Sequence, residues 1–219
     1  MTVRQLNPSD RARLERFLAD ARVKAASYLG YPASRDLDGS LLSDCLDLPL
    51  NNIGDPFVGG TWKVDSREFE REVLLFFADL LRAPENNWWG YVTNGGTEGN
   101  LYGLYLAREL YPDGVVYLSQ DSHYSVTKNV HFLNMRIMIR SQKNGEIDYD
   151  DLRETISLHR DRTPIIFANI GTMMTEAKDD IARIQAIIAE LEVPNFYIHC
   201  DAAMTGALAP FLDDPPPFD

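Results

Sequence analysis

Thr93-Asn94-Gly95-Gly96-Thr97-Glu98-Gly99-Asn100 packs small, backbone-exposing residues between an apparent strand and an apparent helix. The chemistry this suits is anion binding. Glycines let N–H groups turn toward a phosphate, Thr97 adds a hydroxyl donor, and the positive end of the following helix points at the same place. Glycine clusters of this kind also occur in plain turns. Two further motifs carry polar groups, Ser122-His123-Tyr124-Ser125 and His199-Cys200-Asp201-Ala202-Ala203. Asp201 closes the apolar run Phe196-Tyr197-Ile198, and the two-residue strand period puts Asp201 and Ala203 on one face if the chain stays extended. A carboxylate there suits a protonated ring nitrogen, with the small alanine letting a flat ring lie close. The alternative is an aspartate that caps the next turn. His123 suits stacking on such a ring, or acid/base work beside it, or else is a satisfied structural histidine. Thr172, in Asn169-Ile170-Gly171-Thr172, either reaches the same crevice with its hydroxyl or satisfies turn backbone.

Other chemistries are disfavoured by spacing. His131 follows His123 by about two helical turns, too far for the four-residue pairing of a helical metal site, and with His159 on another helix no metal constellation forms. Gly95, Gly96 and Gly99 lack the Gly-x-Gly-x-x-Gly spacing of dinucleotide binding, and no Walker-type Gly-Lys-Ser/Thr is present. Cys200 falls on the opposite strand face from Asp201 and reads as a buried small residue.

The elements that must position these groups follow from periodicity. Leu14, Phe17, Leu18, Ala21, Ala25, Tyr28 and Leu29 mark an amphipathic helix over residues 9–29, entered from Asn7-Pro8-Ser9 and ended by Gly30-Tyr31-Pro32. Residues 32–65 read mainly as loops around a short apolar stretch from Leu41 to Leu50, and Phe69, Val73, Phe77, Leu80 and Leu81 stripe a second helix near 66–82. From Tyr91 onward, strands at Val115 to Ser119, Arg136 to Arg140, Pro164 to Ile170 and Phe196 to Asp201 alternate with helices near 97–110, 122–134, 148–160 and 178–192. That order predicts an α/β fold with a mostly parallel sheet, helices on both faces, and ligands at the carboxyl ends of strands.

With 219 residues, 45% of them hydrophobic, the chain is long enough to bury a substantial core. Its 33 acidic against 21 basic residues give a net charge of −12, which disfavours nucleic acid and anionic membranes as partners. Cys45 and Cys200 provide no disulfide framework, and neither a secretion signal nor a membrane span is visible, so a soluble cytoplasmic protein is expected.

From about Gly30 to its last residue the sequence resembles the group II pyridoxal-phosphate-dependent amino acid decarboxylases, most closely the bacterial histidine decarboxylase branch with its plant serine decarboxylase relatives. The resemblance is carried by ordered blocks: Asn51-Asn52-Ile53-Gly54-Asp55, Trp89 to Asn100, Asp121-Ser122-His123-Tyr124-Ser125-Val126, Asn144 to Asp151, Ile165 to Thr172 and His199 to Ala203. It implies the aspartate-aminotransferase type of fold (fold type I), pyridoxal 5'-phosphate as cofactor, an amino acid substrate and a homodimer. It further implies that Gly95, Gly96 and Thr97 hold the cofactor phosphate, that His123 stacks on the ring, that Asp201 pairs with its nitrogen, that Ala203 contacts the other face, and that Thr172 sits beside the ring and His123. The division expected is an N-terminal helix and loop segment, 1–65, and a cofactor-binding large domain, 66–219, truncated before its last strands.

Two departures stand out. The family's Schiff-base lysine lies in a Ser-x-His-Lys block beyond Asp201, and none of Lys24, Lys63, Lys128, Lys143 or Lys178 matches it. Met173-Met174 stand where the family commonly has a threonine and a small aliphatic residue. The expectation is an N-terminal portion of a decarboxylase that converts histidine to histamine and carbon dioxide and needs a further C-terminal part for activity. The alternatives are a serine decarboxylase, or an inactive remnant that at most binds cofactor or a partner.

Overall fold

The computed structural model describes residues 7–28 and 38–215. Its contacts divide the chain into two units, Met1–Pro49 and Leu50–Asp219. The first contains α1 (Pro8–Ser27), which starts on an Asn7 side-chain cap and has no buried residue. The expected Gly30-Tyr31-Pro32 terminator lies outside the described residues. The stretch read as loop around Leu41 is instead a 3-10 helix, Gly39–Asp47, started by the Asp38 carboxylate accepting from Ser40 N. Asp38 also shows why a segment that reads as loop can still wind: its side chain supplies the first acceptor.

The second unit opens with a loop tied to α2 (Arg67–Leu80). Arg67 is buried and donates to the carbonyls of Val58 and Ile53, while Arg71 donates to that of Pro56. Then come α3 (Gly96–Leu110), β1 (Val115–Ser119), α4 (Tyr124–Phe132), β2 (Ile137–Ile139), α5 (Tyr149–Leu158), β3 (Pro164–Asn169), α6 (Ile181–Glu190) and β4 (Tyr197–Asp201). The strands form one parallel sheet in the order β2-β1-β3-β4. Travel across the sheet therefore reverses after β2. A constant crossover hand then requires the β1-to-β2 helix to lie on the opposite face from those that follow. Packing agrees: α3 and α4 cover Val116, Leu118, Ile165 and Phe167, whereas α5 and α6 cover Tyr117, Ile139, Ile166 and Ala168. The even-odd split is the strand period at work. All six residues of β3 are buried, as a central parallel strand covered on both faces should be.

Three sequence expectations are corrected. The apparent strand before the Thr93 motif does not form; the backbone N–H of Val92 is taken by the Glu70 carboxylate instead of a ladder. β2 is shorter than Arg136 to Arg140 because it pairs only with β1, leaving both arginines outside the register. The extended run does not reach Ala203, because a turn closed by Gly206 N to the Ala202 carbonyl begins there. Among the described residues, no helix is long and apolar enough to cross a membrane.

Candidate functional site

The glycine-rich cup forms the start of α3. Gly95 is its N-cap with φ 120° and ψ 174°, a region essentially restricted to glycine, and no side chain caps the helix. Glu98 reaches back from the first turn: its Oε2 accepts from Asn94 N at 2.9 Å and Asn94 Nδ2 at 2.8 Å, and its Oε1 accepts from the Tyr91 hydroxyl at 3.0 Å. This is the reach-back half of a capping box, displaced by one residue. The bonds from Asn94 hold the Glu98 carboxyl below its ordinary range, while burial and the neighbouring Glu98 push the Tyr91 phenol up to about 12. The segment before the cup is thus fixed by a side chain, leaving the helix end itself uncapped.

β4 delivers the carboxylate. Tyr197, His199 and Asp201 share the α3 face, and Ile198 and Cys200 the α5/α6 face, so Cys200 does lie opposite Asp201. Burial raises the Cys200 thiol to about 11, which keeps it protonated and unreactive. Asp201 Oδ2 accepts from Asn100 Nδ2 at 2.8 Å, and Oδ1 accepts from Ala203 N at 3.2 Å. The turn-capping role and the outward carboxylate therefore coexist in one side chain. Ala203 abuts the cup, since a Cβ added at Gly96 would lie 2.9 Å from Ala203 Cβ. One contact thus joins two motifs about a hundred residues apart.

His123 is the N-cap of α4; its Nδ1 lies 2.7 Å from Ser125 Oγ and accepts from Ser125 N at 3.3 Å, with the ring against Tyr124. Its helix is moored beside the cup by Asn129 Nδ2, which donates to the Thr97 carbonyl at 3.1 Å. Next to His123, the buried Ser122 Oγ has no hydrogen-bond partner among the described residues. Thr172 is buried after β3, where its Oγ1 accepts from Ala177 N and pairs with Thr175 Oγ1. Its hydroxyl performs the turn-satisfying role. The structure thus brings Gly95, Gly96, Thr97, Asp201 and Ala203 together, and sets His123 and Thr172 at neighbouring strand ends with their polar atoms engaged locally.

Three further residues were not assigned roles from sequence. Asn100 and His199 bond at 2.9 Å across β4 and α3, a contact between distant residues that no local pattern announces. Asp179 is buried and accepts from Ile147 N and Asn169 N, each at 2.7 Å. Burial raises its carboxyl despite these bonds. Its neighbour Asp180, the side-chain cap of α6, makes the pair look like ordinary helix punctuation.

Residues 31–214 match the pyridoxal-dependent decarboxylase conserved domain. The chain belongs to the pyridoxal-dependent decarboxylase family. It is 48% identical over 215 residues to a histidine decarboxylase of Mesorhizobium japonicum, covering 98% of this chain and 58% of that protein. It is 45% identical over 216 residues to a histidine decarboxylase of Morganella morganii, covering 97% and 57%. The chain therefore spans a little over half the length of these curated relatives. Among solved structures, L-methionine decarboxylase from Streptomyces sp. 590 superposes with a TM-score of 0.81 at 24% identity, over 94% of this chain and 57% of that one. That likeness shows the fold, the fold-type I architecture of pyridoxal-phosphate enzymes.

The cofactor of this decarboxylase family is pyridoxal phosphate, and the residues present fit it. An uncapped helix start with glycine backbone, open space beside Gly95 and an orphaned Ser122 hydroxyl suit a phosphorylated ring. Asp201 has no ion pair among the described residues and keeps lone pairs on both oxygens, which suits a cationic ring nitrogen.

Proposed function

We propose that this chain is the cofactor-binding portion of a cytoplasmic, homodimeric pyridoxal-phosphate-dependent L-histidine decarboxylase, in which a proton replaces the carboxylate on Cα to give histamine and carbon dioxide. The observation that carries this reading is the meeting of the cup with the strand-end aspartate through Gly96 and Ala203. The names of the relatives at 48% and 45% identity support histidine as substrate. Exposed apolar side chains on α2, such as Phe69 and Phe76, support a dimer.

When bound, the cofactor supplies an electron sink for the pair that departing carbon dioxide leaves on Cα. The protein's own residues do the rest. Gly96 would present its backbone N–H, and Thr97 its hydroxyl, to the phosphate at the positive end of α3, while Gly95, whose own N–H is donated to Thr93 Oγ1 at 3.3 Å, would shape the turn against it. Asp201 holds a proton on the ring nitrogen by charge, and Ala203 leaves room for the ring. His123, with Nδ1 committed to its helix cap, offers its ring face for stacking. Thr172 braces the loop that follows β3 beside them.

We assign catalysis to a chain that carries, in addition, the anchoring lysine implied by the resemblance, and cofactor binding without turnover to residues 1–219 alone. The test is amine release from histidine and from serine by a lysine-bearing longer form. Histamine from histidine is expected; ethanolamine from serine without histamine would move the substrate to serine, and neither product would sink the decarboxylase reading.

A further inference from the structure

A carboxylate that serves a cationic ring nitrogen must be held in one orientation without a rival cation beside it. Asp201 meets both conditions through an unusual partner set. The carboxylate only accepts hydrogen bonds, so Asn100 must turn its Nδ2 toward Asp201 Oδ2, 2.8 Å away. That fixes Asn100 Oδ1 toward His199 Nε2, 2.9 Å away. An amide oxygen also only accepts, so His199 carries its proton on Nε2. Burial holds the His199 imidazole below the ordinary histidine range, with Asp201 opposing more weakly, so the ring is neutral. Gly103 completes the arrangement: a Cβ there would overlap His199 Nδ1, so a glycine is what lets the ring come this close to α3.

We propose that Asn100, locked by His199, is a positioning residue for Asp201, a neutral brace that aims the carboxylate at the cofactor nitrogen while leaving its charge uncompensated. This rests on Asp201 being the nitrogen's partner, as argued above. An arginine or lysine in the same place would steer the carboxylate equally well but would neutralise the charge that the ring nitrogen needs. The relay His199 Nε2–H to Asn100 and Asn100 Nδ2–H to Asp201 polarises in one direction, each donor feeding the next acceptor.

The test uses the 219-residue chain, [15N]pyridoxal phosphate as probe, and Asn100→Leu, His199→Phe and His199→Gln. Asn100→Leu and His199→Phe are expected to weaken pyridoxal phosphate binding about tenfold, the scale of losing a hydrogen bond to a charged group. They should also shift the ring-nitrogen resonance toward the unprotonated position at neutral pH. His199→Gln keeps a donor where Nε2 stood and should retain both properties, which a purely packing role would not require. Unchanged affinity and unchanged nitrogen shift in a variant that melts like wild type would overturn the brace. A measurement needing no substitution guards against misfolded variants: 15N spectra of wild type must show His199 neutral with its proton on Nε2, and the other tautomer refutes the proposal. Wild type that fails to bind pyridoxal phosphate sinks the cofactor reading and the purpose of the brace with it, whereas wild-type binding untouched by Asn100→Leu sinks the brace alone.

Discussion

Asp179 and Asp201 are two carboxylates at the carboxyl-end side of one sheet, finished in opposite ways. Asp179 is 3% exposed and saturated by the backbone N–H groups of Ile147 and Asn169, with Asn169 Nδ2 adding a third bond at 3.2 Å. It staples the loop after β2 to the end of β3. Asp201 is half-buried, accepts one bond on each oxygen and has capacity to spare. The helix starts follow the same division. Asp148 and Asp180 cap α5 and α6 with their side chains, while α3 begins on bare Gly95. Where the chain needs stability it satisfies its polar groups internally. Where the groups are offered outward, the fold forgoes that satisfaction, as functional sites commonly do.

The comparison is sharpened first by exchanging the roles of the two aspartates. Asp201→Asn in a lysine-bearing longer form should lower amine release by about 100- to 1,000-fold, the scale of losing one preorganised electrostatic contact, with little change in melting temperature. An activity near wild type would break the contrast outright. Asp179→Ala should do the reverse. Losing bonds from buried N–H groups to a charged acceptor is expected to cost about 3 kcal/mol of unfolding free energy, read from denaturant midpoints at unchanged slope.

Gly95→Ala comes next. Its Cβ would meet nothing within 4 Å, so the penalty is backbone strain alone at φ 120°, about 1–3 kcal/mol. Calorimetric titration with pyridoxal phosphate should show a correspondingly weaker cup; unaltered binding would mean the cup does not hold the phosphate. The smallest effect concerns His199. Burial depresses its imidazole below the ordinary value of 6.5, so its contribution to stability is complete above that value and is lost as pH falls through the depressed range, where the unfolded chain takes up the proton first. Wild type should therefore lose stability over this interval more steeply than His199→Gln, as followed by urea titrations at successive pH values. Parallel curves would contradict a neutral, buried His199.

Much of this architecture was legible in the residues. β1 falls on Val115 to Ser119 as expected, because a short apolar run with β-branched residues has only one way to lie between two helical layers. The layering on both faces and the parity of Cys200 and Asp201 follow from period and order. The stretch before Thr93 misled because an apolar run before a glycine turn looks like a strand, yet the backbone N–H of Val92 is served by Glu70, a residue on a separate helix. The 3-10 helix at Gly39–Asp47 was hidden by a composition that also suits loops. At the site, the cup and Asp201 were readable as types at strand ends. Asn100 was not, since its meaning depends on facing His199 and Asp201 across the helix–strand interface, and such partnerships exist only once the chain has folded.

The cup and Asn100 ride on the same helix. From Gly96 to Asn100 the axis advances about 6 Å, four steps of an α-helix, and neither end can drift relative to the other without unwinding α3. On the function proposed above, the protein would carry a built-in calliper: one jaw would grip an anion, and the other, through Asp201, a ring nitrogen. Molecules whose two charged ends are closer or farther apart than the jaws should be rejected by length, before any question of chemistry arises.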